Sequence, residues 1–269
     1  MKNTRRASIA ATALLGLCLT RPSQAQIFVA NNNDGNNTIG EYNLDGSSVN
    51  PSLVSGLRLP IGLAVSGGNI FVADYGNGLA GNGAIAEYTT AGATVNASLV
   101  SGLYEPWGIA ISGGNIFVAN AGSGTIGEYT TAGATVNASL ISGLNGPTGI
   151  AVSGGNIFVA NWYSGTIGEY TTAGATVNAS LVSGLVEPDE IAVSGDDLFV
   201  ANDGNGAVGE YTTAGATVNA SLVTGLNGPA GLAVVEPVPE ASTYALLAGG
   251  LGGWLLWRRR ASWTRLTPH

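Results

Sequence analysis

Five repeats of one unit dominate the chain. An apolar run, Ile-Phe-Val-Ala or a close variant, recurs at Phe28, Phe71, Phe117, Phe158 and Phe199, at spacings of 43, 46, 41 and 41 residues. After each comes Glu-Tyr, at Glu41, Glu87, Glu128, Glu169 and Glu210, then Ser-Leu, at Leu53, Leu99, Leu140, Leu181 and Leu222. A fourth run, Leu/Ile-Ala-Val/Ile, is marked by Ala64, Ala110, Ala151, Ala192 and Ala233. Four short apolar runs per unit, separated by Gly, Asn, Ser and Thr clusters, predict four strands and their turns. The repeats contain no apolar stripe of helical period, so the expected class is all-β. A period near 41 with four strands per unit is that of a propeller blade, and five units predict about five four-stranded blades. The repeat region opens on the second strand of a unit, at Ile27, and stops after a first strand at 232–234. One blade is therefore expected to draw strands from both ends, closing the ring. A β-solenoid is the alternative, and it needs capping units that the pattern lacks.

Composition narrows the chemistry. The 269 residues are 45% hydrophobic, with 42 Gly and 10 Pro, too apolar for a disordered chain and of a size for one propeller. Between positions 26 and 240 stand all 17 acids and one base, Arg58, a net charge of −16. Such a surface repels phosphate backbones, which excludes nucleic acid as a partner. The only Cys is Cys18 and the only His is His269, both in terminal segments. The repeats thus lack a disulfide, a Cys/His metal site and any device that needs His or Cys.

The ends read as addresses. Lys2, Arg5 and Arg6 precede the apolar run from Ile9 to Leu19, and Ser23-Gln24-Ala25 has small residues at cleavage spacing. Residues 1–25 are therefore expected to be a signal peptide read by the Sec export machinery. At the other end, Pro239-Glu240 is followed by an apolar stretch at 244–257 and by Arg258, Arg259 and Arg260. This order resembles a PEP-CTERM sorting signal. The resemblance implies export in a Gram-negative bacterium and recognition by exosortase, a membrane-embedded transpeptidase. It divides the chain into a propeller at 26–235, a linker at 236–243, a transmembrane helix at 244–257 and a basic cytoplasmic tail at 258–269. Fourteen residues span about 21 Å as a helix, short of a ~30 Å hydrocarbon core. The Arg cluster should stay cytoplasmic, leaving the repeats beyond the inner membrane. The protein is then expected at the inner membrane, at least transiently, and afterwards at the cell surface or outside it. An uncleaved C-terminal anchor is the alternative.

The repeat order Gly-x-Ala-Val-Ser-Gly-Gly-Asn-Ile-Phe-Val-Ala-Asn, then Gly-Thr-Ile-Gly-Glu-Tyr, resembles NHL-repeat and lactonase-like propellers. With strands a to d in the order Ala-Val, Phe-Val, Glu-Tyr and Ser-Leu, the b–c and d–a loops share one face. The loops of the other face are nearly invariant, so the variation between repeats falls on the first. That face carries Tyr75, Tyr104, Glu105, Trp107, Trp162 and Tyr163. Aromatic rings beside carboxylates suit sugars, whose C–H faces stack on rings while hydroxyls bond to acids. Trp107, Trp162, Tyr163 and Tyr104 are therefore the candidate ligand residues, with exopolysaccharide the candidate partner; loop drift with blade-end packing is the alternative. Glu187, Asp189, Glu190 and Asp203 share one neighbourhood as candidate oxygen ligands for Ca²⁺, or as a solvated acidic patch. No other cofactor is expected. The Glu of each Glu-Tyr is expected on the solvated side of an outer strand, its Tyr between blades. A non-catalytic envelope or matrix protein fits these features best. A lactonase-like or lyase-like metal enzyme and a structural scaffold are the alternatives.

Overall fold

The computed structural model describes residues 26–32, 37–232 and 234. They form a five-bladed, all-β propeller. Blade one holds β1 (Gln26–Asn31), β2 (Thr38–Asn43) and β3 (Ser48–Val54). Blade two holds β4 (Pro60–Ser66), β5 (Asn69–Asp74), β6 (Gly83–Thr89) and β7 (Thr94–Leu103). Blade three holds β8 (Pro106–Ser112), β9 (Asn115–Asn120), β10 (Thr125–Thr130) and β11 (Thr135–Ser142). Blade four holds β12 (Pro147–Ser153), β13 (Asn156–Asn161), β14 (Thr166–Thr171) and β15 (Thr176–Ser183). Blade five holds β16 (Pro188–Ser194), β17 (Asp197–Asn202), β18 (Ala207–Thr212) and β19 (Thr217–Val223). Every described ladder is antiparallel and joins strands consecutive in sequence.

Local chemistry accounts for these hairpins. The a–b turn of blade two places Gly67 and Gly68 at φ of 60° and 81°, the paired left-handed geometry of a two-residue hairpin loop. The outer strand of each blade is bulged. In β11, Asn137 Oδ1 accepts from the Ser139 N–H at 3.1 Å, and the register with β10 slips between Ile126 and Glu128. The bulge twists an otherwise flat edge and discourages pairing with other chains.

Blades pack through one repeated junction. Phe117, Ala119, Ile126 and Ile141 on the front of blade three meet Ile150, Ile157, Val159 and Tyr170 on the back of blade four. The same pattern joins blades one to two, two to three and four to five. Among the described residues no such cluster joins blade five to blade one. Val29 on the back of blade one is 38% exposed, whereas its equivalent Val118 is 0%. Val223 on the front of blade five is 43% exposed, against 5% for Val182. Among the described residues the first sheet has three strands, and Gly231, Leu232 and Val234 belong to none; the rest of the segment expected to close the ring lies outside the described residues.

The Glu-Tyr motif departs from expectation in one half. Tyr129, Tyr170 and Tyr211 are buried between blades, as anticipated. Glu41, Glu87, Glu128 and Glu169 are not solvated: each is under one-tenth exposed. The first residue of the neighbouring strand explains this. Asn69, Asn115 and Asn156 donate their amide N–H to Glu87, Glu128 and Glu169 at 2.6, 2.6 and 2.7 Å, and Gln26 donates to Glu41. A buried carboxylate needs that donor. Replacing Asn115 by Ala is expected to cost about 1–3 kcal/mol in a denaturant melt, because Glu128 is left without its partner. An Asn115→Ala chain as stable as the parent would show that water replaces the amide without loss.

Candidate functional site

The b–c and d–a loops are held together by one recurring bond. The carbonyl before each blade's opening Pro accepts from the residue that follows strand b. The bonds are Tyr75 N–H to Leu59, Ala121 to Glu105 and Trp162 to Gly146, each 2.9 Å, and Asp203 to Glu187 at 3.0 Å. Glu105 and Glu187 take left-handed φ angles of 52° and 51°, where blade four has Gly146 at 66°. Carboxylates kept in a conformation that favours glycine are strained residues on the variable face.

This anchoring builds a pocket of about 260 Å³ across blades two, three and four. Its walls are Tyr75, Glu105, Trp107, Ala121, Thr148, Trp162 and Tyr163, with Gly146 beneath. Trp107 stands edge-on to Tyr75, ring centroids 5.8 Å apart at 84°. The Tyr163 ring lies over Gly146 and is 76% exposed. Burial, then hydrogen bonding to Glu105 and its charge, push the Tyr75 phenol up to about 12, so it remains a neutral donor. The pocket thus offers three kinds of surface: flat apolar rings, one carboxylate acceptor and one hydroxyl donor.

Three of the four expected ligand residues, Trp107, Trp162 and Tyr163, meet in this pocket. Tyr104 does not line it; its ring covers Gly122 instead. Tyr75 and Glu105 join the set through loop conformation, which their sequence neighbours do not reveal.

The acidic residues are arranged differently. Asp189 is 3% exposed, and its Oδ1 has no hydrogen-bond partner. Burial and then the nearby Asp203 charge push its carboxyl up to about 6, opposed by the indole N–H of Trp107. Glu190 accepts from the Ile191 N–H at 3.0 Å, and burial pushes it up to about 8. Glu187 is exposed beside Gly204, and Asp203 lies over Gly228. Among the described residues, no group of three or more His, Cys, Asp or Glu is placed to hold a metal ion. The four acids are neighbours without a common centre.

The sorting residues Pro239, Glu240, Arg258, Arg259 and Arg260 lie outside the described residues, as do the expected signal peptide and the apolar stretch 244–257. Among the described residues no helix is long and apolar enough to cross a membrane. Residues 237–260 match the PEP-CTERM protein-sorting motif. This chain carries an exosortase sorting signal. The PEP-CTERM motif makes it an exported, surface-directed protein with exosortase as a partner. No curated protein matches the chain. Solved structures match its fold. A streptogramin B lyase is 18% identical, with a TM-score of 0.59 over 76% of this chain and 67% of that one. A catalytically inactive virginiamycin B lyase from Staphylococcus aureus with quinupristin is 19% identical, with a TM-score of 0.53 over 74% and 67%. The computationally designed Ika8 protein is 15% identical, with a TM-score of 0.50 over 79% and 65%. The PEP-CTERM chain therefore spans about two thirds of the length of these structures.

Proposed function

We propose that this exported propeller is a non-catalytic surface or matrix protein that holds a neutral polysaccharide in the pocket of Tyr75, Glu105, Trp107, Trp162 and Tyr163. The convergence of four aromatic rings on one carboxylate supports this reading. Sugar C–H faces stack on Trp162 and Tyr163, while hydroxyls bond to Glu105 and Tyr75. The single negative charge of the pocket and the −16 of the surrounding repeats disfavour anionic polymers. Export by the sorting signal brings the pocket to where such polymers lie.

Native affinity electrophoresis through gels containing neutral polysaccharides tests the reading. Trp162→Ala and Tyr163→Ala are each expected to weaken retardation by roughly 5- to 150-fold, the effect of losing one stacking ring at ~1–3 kcal/mol. Val136→Ala, on the exposed outer strand, should leave it unchanged. Absence of retardation by every neutral polysaccharide would leave the scaffold reading.

A further inference from the structure

The pocket beside Glu105 supplies far more acceptors than donors, because three of its polar side chains have spent their donors inside the protein. Tyr75 gives its hydroxyl proton to Glu105. Trp107 gives its indole N–H to the buried Asp189. Thr148 donates through Oγ1 to the Pro188 carbonyl at 3.0 Å. These groups leave lone pairs open to a ligand, on the Tyr75 and Thr148 oxygens and on the Glu105 carboxylate. An ionised carboxylate accepts at about four sites, and the Tyr75 proton takes one.

Charge is as one-sided as hydrogen bonding. Arg58, the one base among the described residues, does not line the pocket, so Glu105 has no cation there to offset it. Behind the Trp107 indole, the charged neighbours of Asp189 are the acids Asp203 and Glu190.

A sugar hydroxyl is both donor and acceptor, and against these oxygens its acceptor half goes unused. A protonated amine has three donors and no acceptor. It also brings the charge that Glu105 lacks, and aromatic faces attract a cation within about 6 Å of the ring centre. Rings around an unpaired carboxylate therefore fit an ammonium better than a hydroxyl. The volume of about 260 Å³ is just under the ~300–1,000 Å³ of ordinary ligand pockets, which suits one sugar ring.

We propose that the pocket selects an amino-sugar unit, its ammonium held by Glu105 between the aromatic rings and its C–H face stacked on Trp162 or Tyr163. This rests on the polysaccharide reading above and narrows it: a neutral, N-acylated polymer is gripped at units whose amine is free. The −16 of the repeats draws such units in from a distance, and Glu105 fixes where they stop.

Calorimetric titration of the full-length chain in detergent at pH 6 tests the proposal, with β-1,4-linked trisaccharides of glucosamine and of N-acetylglucosamine. The amine form should bind more than about tenfold tighter at low salt, since charge-assisted hydrogen bonds are roughly twice as strong as neutral ones. Glu105→Gln should remove that advantage while leaving the melting temperature and the affinity for the acetylated form unchanged. Asp196→Asn, an equal loss of charge from an exposed loop of the opposite face, should preserve it. An equal effect of the two variants would overturn the proposal in favour of attraction by bulk charge. Equal affinity for the two trisaccharides would overturn it and leave the polysaccharide reading standing. Binding of neither would overturn both. Lysine amide carries the same ammonium without a sugar ring; binding as tight as that of the glucosamine trisaccharide would overturn the sugar as the carrier of the amine.

Discussion

At pH 5 the propeller is expected to melt at a higher temperature than at pH 8. Burial raises Asp189 from 3.8 to about 6 and Glu190 from 4.5 to about 8. In the unfolded chain both carboxyls return to the ordinary range near 4. Between these values the folded protein holds protons that the unfolded chain releases. The stabilisation is complete below about pH 4 and is lost as pH rises, first through 6 for Asp189 and then through 8 for Glu190. For Asp189 alone the loss is on the order of 3 kcal/mol, at about 1.4 kcal/mol per pKa unit. Calorimetry of the parent, Asp189→Asn and Glu190→Gln separates the two. Asp189→Asn should flatten the curve between pH 4 and 6, and Glu190→Gln should flatten it up to 8. A melting temperature that climbs from pH 5 to 8 would mean that neither carboxyl is desolvated as described.

Gly149→Ala is expected to loosen the junction between blades four and five. The added Cβ would meet Asp189 O at 2.6 Å and Glu190 Cα at 2.7 Å, both in the main chain of the next inner strand. Side chains cannot rotate away from that contact, so β12 and β16 must separate. The cost is put at about 3 kcal/mol, the upper range for overpacking a tight interior. Ser139→Ala on an exposed outer strand should change stability by less than about 0.5 kcal/mol. Equal unfolding midpoints for Gly149→Ala and Ser139→Ala would show that inner strands tolerate a wider spacing.

The repeat order made the blades legible because strand alternation and turn residues are local properties. The ladder of β9 on β10, from Asn120 opposite Thr125 to Asn115 opposite Thr130, follows from the two motifs and the loop between them. The variable face was legible for the same reason: antiparallel order alone puts Trp107 and Trp162 on one side. Burial of Glu128 was not legible, because its Asn115 partner stands 13 residues away and becomes adjacent only across the sheet. Tyr104 and Tyr163 look alike in sequence, yet one covers Gly122 and the other lines the pocket. Glu190 was visible as a break in the inner-strand pattern. Its meaning depends on how closely the glycines at its position approach the next blade, a distance set by packing.

Consecutive-strand pairing has a consequence for how an exported chain acquires this shape. Contacts within a blade join residues a few tens of positions apart, and each blade needs only its predecessor to complete a core. Folding of such low contact order is fast and can start at one end. A polypeptide crossing a membrane N-terminus first presents blade one, then blade two, each able to form before the next arrives. The strand sequence Thr-Val-Asn-Ala-Ser-Leu is the same in β7, β11, β15 and β19. Order of emergence, rather than side-chain identity, then selects the correct partner for each copy. Refolding the whole chain from denaturant at once removes that order and sets identical edges in competition.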